Sequence, residues 1–281
     1  MNSDFIKLFI FPALIFVTFF SNAQVQKGEV ITQSMESQAL DSALTYNIYF
    51  PPGYDGSKVS YTVLFLLHGY VGDHTDWVEQ GAANETMDRM IANGTSMPLI
   101  VVMPDAHNSW YVDSNPDVGW GKYETAIIRD LRKHIEKNYQ TVDSANSRFI
   151  AGLSMGGYGA LHLAFKYPEM FRAAASLSGA FMPELPEGYK LLEGTFGKPA
   201  DPDKYQKENP FILATKDSTR QLPVYITCGD DDKRLFHHSV AMYDTLQKKG
   251  YATELRITDG AHTWKVWARE LENVIGFFNE N

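Results

Sequence analysis

Five short apolar runs constrain the fold of this chain more than any other feature. They are Thr62–Leu67 inside YTVLFLLHGY, then 98–105 (PLIVVMPD), 148–152 (RFIAG), 173–179 (AAASLSG) and 223–229 (PVYITCG). A strand with one wet face alternates apolar and polar residues. A run with almost no alternation suits a strand covered on both faces, as in a parallel sheet. Between the runs lie stretches of helical period. Ile127, Ile128, Leu131, Ile135 and Tyr139 share one face of GKYETAIIRDLRKHIEKNY, and Trp267, Leu271, Val274, Ile275 and Phe278 share another near the C-terminus. Strand and helix therefore alternate, which predicts an α/β fold with a mostly parallel central sheet, flanking helices and right-handed crossovers. Stretches near 29–35, 43–50 and 253–257 add strand character. Region 181–222 breaks the rhythm with Pro183, Pro186, Gly188, Pro199, Pro202 and Pro210. It is expected to be an irregular excursion over one end of the sheet rather than a separate domain.

The N-terminus is laid out differently. Lys7 precedes an apolar stretch from Leu8 to Phe20, followed by Ser21-Asn22-Ala23 with small residues at −3 and −1. This is a signal-peptide layout, too short for a comfortable membrane span. It predicts a leader over 1–23 and one exported domain over 24–281, periplasmic or extracellular and free of the membrane after cleavage; an uncleaved anchor is the alternative. The net charge of −9, without any Lys/Arg block, argues against a nucleic-acid partner, because phosphate binding needs clustered cations. Cys228 is the one cysteine. It closes an apolar run and reads as a small buried hydrophobe, so the chain has no disulfide of its own.

The run at 148–152 leads into RFIAGLSMGGYGALHLAF, which contains Gly152-Leu153-Ser154-Met155-Gly156. Alone, G-x-S-x-G is weak, since chance supplies it in about one chain in ten of this length. Its setting strengthens it, for a buried strand precedes and a helix with Ala160, Leu161, Ala164 and Phe165 on its core face follows. A strand turning directly into a helix strains the serine and crowds the residues two positions away, so Gly152 and Gly156 are needed for want of a Cβ. Gly157 and Gly159 let the helix lie close to the sheet. Ser154 is then held above the sheet at a helix N-terminus that favours developing negative charge.

A serine nucleophile needs donors for an oxyanion. One is the amide after the serine, Met155 N–H, and the second is expected from the loop after an early strand. LLHGYVGDHTDW (66–77) is that loop, with Gly69 permitting a turn and the Tyr70 amide as candidate; His68 is read as fixing the loop by hydrogen bonds. The general base follows the acid if the order is Ser, acid, His. His237 and His238 lie close behind the aspartates of CGDDDKRLFHH, whereas His262 sits between a short strand and the last helix, at the sheet edge where loops converge. His262 is the candidate base. His162, on the helix behind the serine, is read as a packed or surface residue.

The stretches LLHGY, MPDAHNSWYVD, GLSMGGYGAL, LSGAF, GDDD and GAHTW together resemble the esterase D/feruloyl esterase-type family of α/β-hydrolases, which includes S-formylglutathione hydrolases and mycolyltransferase antigens. The resemblance implies the α/β-hydrolase fold and ester hydrolysis through an acyl-enzyme by a Ser–His–Asp triad, with neither metal nor organic cofactor. In the family pattern the acid stands three residues after a strand-ending glycine, here Gly229, which selects Asp232. Asp230 and Asp231 are then expected to turn outward, one of them capping the turn. A metal reading of the three aspartates lacks a further ligand at a recognisable spacing.

HNSWYVD (107–113) follows the second apolar run. Trp110 and Tyr111 either pack the loop or form an aromatic wall for the substrate, with 181–222 as the other wall. A family member with a leader peptide points toward feruloyl or acetyl esters of plant polysaccharide. The alternatives are an S-formylglutathione hydrolase-like thioesterase, an acyltransferase with the same triad, and a non-catalytic binding protein. The sequence sets no oligomeric state.

Overall fold

A computed structural model describes residues 26–114, 119–185, 190–216 and 220–281. The leader expected over 1–23 lies outside the described residues. The strands are β1 (Glu29–Ser37), β2 (Ser42–Phe50), β3 (Thr62–Leu67), β4 (Leu99–Pro104), β5 (Arg148–Leu153), β6 (Ala173–Leu177), β7 (Val224–Gly229) and β8 (Thr253–Thr258). They form one sheet in the order β1-β2-β4-β3-β5-β6-β7-β8. β1 and β2 pair antiparallel, as do β2 and β4; from β4 through β8 every pairing is parallel.

The unbroken apolar runs become the interior strands, and the sheet splits their side chains between two cores. Val63, Phe65 and Leu67 of β3 face one core, shared with Ile127, Leu131, Ile135 and the helix Met155–Lys166. Leu64 and Leu66 face the other, with Met87 and Met90 of Ala83–Ala92 and Leu271, Val274 and Phe278 of Trp264–Glu280. Each fully buried aliphatic or aromatic side chain contributes roughly 1.5–3 kcal/mol relative to exposure, so both faces need cover. The edges differ. β8 alternates half-buried with exposed residues over Thr253 to Arg256, as a strand with one wet face should, and leaves Ile257 exposed.

Two local expectations are refined. The stretch 121–139 is not one regular helix. After Tyr123–Thr125 the chain makes a π-helical segment over Ala126–Leu131, then an α-helix over Arg132–Asn138. The wider turn lets Ala126, Ile127, Ile128 and Leu131 all reach the core. In the excursion, two of the prolines start short helices. Pro202 and Pro210 are first helical residues, capped by the side chains of Asp201 and Asn209.

Candidate active site

β5 runs into the helix Met155–Lys166 through Ser154 alone. Ser154 has φ 52 and ψ −114, a conformation non-glycine residues rarely hold, and hydrogen bonds maintain it. Its N–H donates to Leu177 O (2.9 Å), and Ala180 N–H donates to its carbonyl (3.0 Å). A Cβ on Gly152 would lie 2.3 Å from the Gly156 carbonyl oxygen. One on Gly156 would lie 2.5 Å from the carbonyl oxygens of both Leu67 and His68. Gly152 is thus required by the backbone at position 156, and Gly156 by the backbone where β3 ends, at Leu67 and His68.

Ser154 Oγ lies 3.0 Å from His262 Nε2, and His262 Nδ1 lies 2.6 Å from Asp232 Oδ2. The ionised carboxylate only accepts, so Nδ1 carries the ring hydrogen and Nε2 offers its lone pair to the serine hydroxyl. The arrangement can therefore remove the serine proton and stabilise the resulting imidazolium. Burial works against the Asp232 charge. The hydrogen bond and charge of His262, the Leu235 amide and the Ser178 hydroxyl outweigh it and hold the carboxyl below its ordinary range. Cys228 is buried beside it, Sγ 3.8 Å from Oδ2. Burial and that neighbouring charge push its thiol up to about 11, which leaves it unreactive.

The other two aspartates are exposed. Asp230 Oδ1 accepts from Gly260 N–H (3.0 Å), and Asp231 N–H donates to Gly260 O (3.0 Å). The turn holding Asp232 is thereby tied to the loop holding His262. Gly229 permits the approach, because a Cβ there would lie 2.0 Å from Gly260 O.

Gly69 brings the loop after β3 against the serine: its Cβ would meet a Leu153 methyl at 2.6 Å and Ser154 Cβ at 3.7 Å. The next residue, Tyr70, lines the same cavity as Ser154 and Met155. Met155 opens its helix, where the first amides have no intrahelical acceptor. His68 fixes the loop from beneath. Its Nδ1 donates to Gly69 O (2.7 Å) and its Nε2 accepts from Ala106 N–H (2.9 Å). Burial pushes its pKa down and keeps the ring neutral, as that donor–acceptor pair requires.

Above the serine is a cavity of about 710 Å³ with mostly apolar walls. Trp110 forms one side, edge-on to Tyr158, with its indole N–H on Leu191 O (3.2 Å). Met182 and Leu191 bring the excursion over the site, as anticipated. Tyr111 departs from the aromatic-wall expectation. It is fully buried beneath the wall, with its hydroxyl on His68 O (2.9 Å) and its ring against Gly159. Both residues hold left-handed backbone (φ 57 and 59), and of the two Trp110 lines the cavity.

Sequence reading missed Arg234, His238 and Trp264 as cavity residues and placed Trp267 only in a helix core. Trp264 and Trp267 occupy the first turn of the helix that begins two residues after His262. That short spacing was the available signal. Away from the cavity, His162 is fully buried and, with Glu124 and Glu208, forms a carboxylate–imidazole group of metal-ligating type. Lys166 Nζ lies 2.8 Å from Glu124 and 2.6 Å from Glu208, supplying a cation there.

The strand order and a serine–histidine–aspartate chain at the C-terminal edge of a mostly parallel sheet define an α/β-hydrolase. The family described as "Putative esterase" matches residues 37–278, and the chain belongs to it. Its class is that of the carboxylic-ester hydrolases. The chain is 29% identical over 258 residues to an endo-1,4-beta-xylanase/feruloyl esterase of Xylanibacter ruminicola, covering 89% of this chain but 31% of that protein. It is 25% identical over 233 residues to an acetyl esterase of Caldicellulosiruptor saccharolyticus, covering 77% of this chain and 83% of the relative. Among solved structures, a ferulic acid esterase superposes with TM-score 0.78 at 27% identity, covering 90% of this chain and 98% of the other. An S-formylglutathione hydrolase from Agrobacterium tumefaciens has TM-score 0.75 at 21% identity over 93% and 98%, a likeness of fold.

Proposed function

We propose that this chain is an exported serine esterase that cleaves feruloyl or acetyl esters of plant polysaccharide through an acyl-enzyme. The observation that carries the catalytic part is the bonded chain Ser154 Oγ–His262–Asp232 on the floor of an apolar cavity. Ser154 attacks the ester carbonyl while His262 Nε2 takes its proton, and Asp232 balances the imidazolium. The N–H groups of Met155 and Tyr70 receive the oxyanion. His262 then protonates the departing alkoxide, and a water molecule, activated by the same base, releases the acid. No step in this scheme calls for a metal or an organic cofactor. The substrate class is supported by the feruloyl and acetyl esterase relatives and by apolar walls suited to an aromatic or short acyl group. Export is supported by the leader-like residues 1–23.

The test is a rate panel on methyl ferulate, acetylated xylan, p-nitrophenyl acetate and butyrate, and S-formylglutathione, with Ser154→Ala alongside. The expected result is turnover of the feruloyl or acetyl substrates and a loss of about 10³-fold or more in kcat for the variant. Inactivity on every ester, or an active Ser154→Ala, sinks the esterase reading. Preference for S-formylglutathione, or acyl transfer to an added sugar acceptor, overturns the substrate assignment alone.

A further inference from the structure

Ser178 follows the last residue of β6 and takes no part in the scheme above. It is wholly buried and holds φ 48, where glycine would be the unstrained choice. Its N–H is used in fixing the backbone, donating to Thr227 O (2.7 Å). Retention of a side chain at a strained position points to a use for its hydroxyl.

Donor and acceptor chemistry defines that use. The Trp267 indole N–H donates to Ser178 Oγ (3.2 Å). An indole can only donate, so the serine oxygen is the acceptor and its own proton remains to be given elsewhere. The Ser178 backbone is bonded to Thr227, the neighbour of Cys228, whose Sγ lies 3.8 Å from Asp232 Oδ2. Of the nearby thiol and carboxylate, the carboxylate is the stronger acceptor, and its lowered pKa accords with a hydroxyl donor. The same indole stands edge-on to the His262 ring, centroids 4.7 Å apart at 87°. One side chain thus touches the base directly and reaches the acid through a buried serine.

We propose that Ser178 is a positioning residue for the active-site acid: Trp267 fixes its oxygen, and its hydroxyl donates to Asp232. The inference rests on the Ser154–His262–Asp232 reading. The bond holds the carboxylate so that one oxygen stays aimed at His262 Nδ1, and Trp267 restrains the ring that receives it.

The test is a double-mutant cycle on p-nitrophenyl acetate, with kcat and KM measured for Ser178→Ala, Trp267→Phe and Asp232→Asn, and for each of the first two combined with Asp232→Asn. Ser178→Ala should lower kcat about 10-fold, the scale of one hydrogen bond to a charged group, with KM within about 2-fold. In the Asp232→Asn background the same change should matter less than about 2-fold, because its target charge is gone. The downfield proton NMR resonance of the His262–Asp232 bond should also shift in Ser178→Ala. Ser178→Gly, which relieves the backbone strain, repeats the cycle if the alanine variant folds poorly. An equal loss in both backgrounds, or no loss in the wild type, overturns the proposal. Near-normal activity of Asp232→Asn alone would instead overturn the underlying triad.

Discussion

Replacing Asp232 with asparagine removes one charge and changes almost no volume, so its effect isolates electrostatics and hydrogen-bond direction. Asp232 Oδ1 accepts from Leu235 N–H (3.2 Å) while Oδ2 faces His262 Nδ1 (2.6 Å). An asparagine must keep its oxygen toward the Leu235 amide, which has only a hydrogen to offer. Its NH2 then faces Nδ1, which is forced to accept. The ring hydrogen moves to Nε2 and points at Ser154 Oγ, so the base can no longer take the serine proton. The charge that stabilised the imidazolium is also lost, in a buried site where it is poorly screened. Together these should lower kcat about 10³–10⁴-fold, or about 4–5.5 kcal/mol, the scale of the same exchange in serine proteases. The assay is initial-rate hydrolysis of p-nitrophenyl acetate at neutral pH, with circular dichroism confirming the fold. Asp230→Asn and Asp231→Asn are the controls. Both side chains are exposed, and an amide oxygen at 230 still accepts from Gly260 N–H, so each should stay within about 3-fold of wild type. Retention of a tenth of the activity by Asp232→Asn would refute the tautomer argument, and a severe Asp231→Asn would move the acid by one residue.

Two other perturbations follow from contacts elsewhere. Gly152→Ala puts a methyl group 2.3 Å from a backbone carbonyl that cannot rotate away, so the turn at Ser154 must shift. Activity should fall at least about 100-fold, and a variant with normal kcat and an unchanged unfolding midpoint would show that the elbow tolerates a Cβ. Burial opposes the charge of Glu124, but His162, Lys166 and Tyr167 prevail and lower its pKa from 4.5 to about 2. Its contribution to stability is therefore complete above about pH 4.5 and is lost as pH falls toward 2, on the order of 3 kcal/mol in all. Urea midpoints measured through that window should fall more steeply for wild type than for Glu124→Gln; parallel curves would count against the network.

Much of the sheet was legible because apolar runs without alternation admit few arrangements. All five became β3 to β7, within a residue or two of the expected bounds. Period-based reading was less able to find the π-helical segment at Ala126–Leu131, because two adjacent isoleucines fit either helix equally well. Trp110 and Tyr111 show a sharper limit. Both are apolar, neighbouring and in the same loop, yet one lines the cavity and the other is buried behind it. Their separation depends on Gly159 of the adjacent helix, against which the Tyr111 ring rests. Asp230 was expected to point outward, and it does, but its bond to Gly260 links two loops 30 residues apart.

By itself the sequence determined what local chemistry can dictate: which runs need cover on both faces, where the chain must turn at a serine flanked by glycines, and which residue types are available as nucleophile, base and acid. Only the tertiary structure decided which of these meet. His262 reaches Ser154 across 108 positions because β5, β7 and β8 end at the same edge of one sheet. Trp267 and Ser178 come together beside the His262 ring because β6, which ends at Leu177, runs parallel between β5 and β7 to that same edge. Such contacts depend on strand order and register, which join distant segments and leave no periodic mark on either.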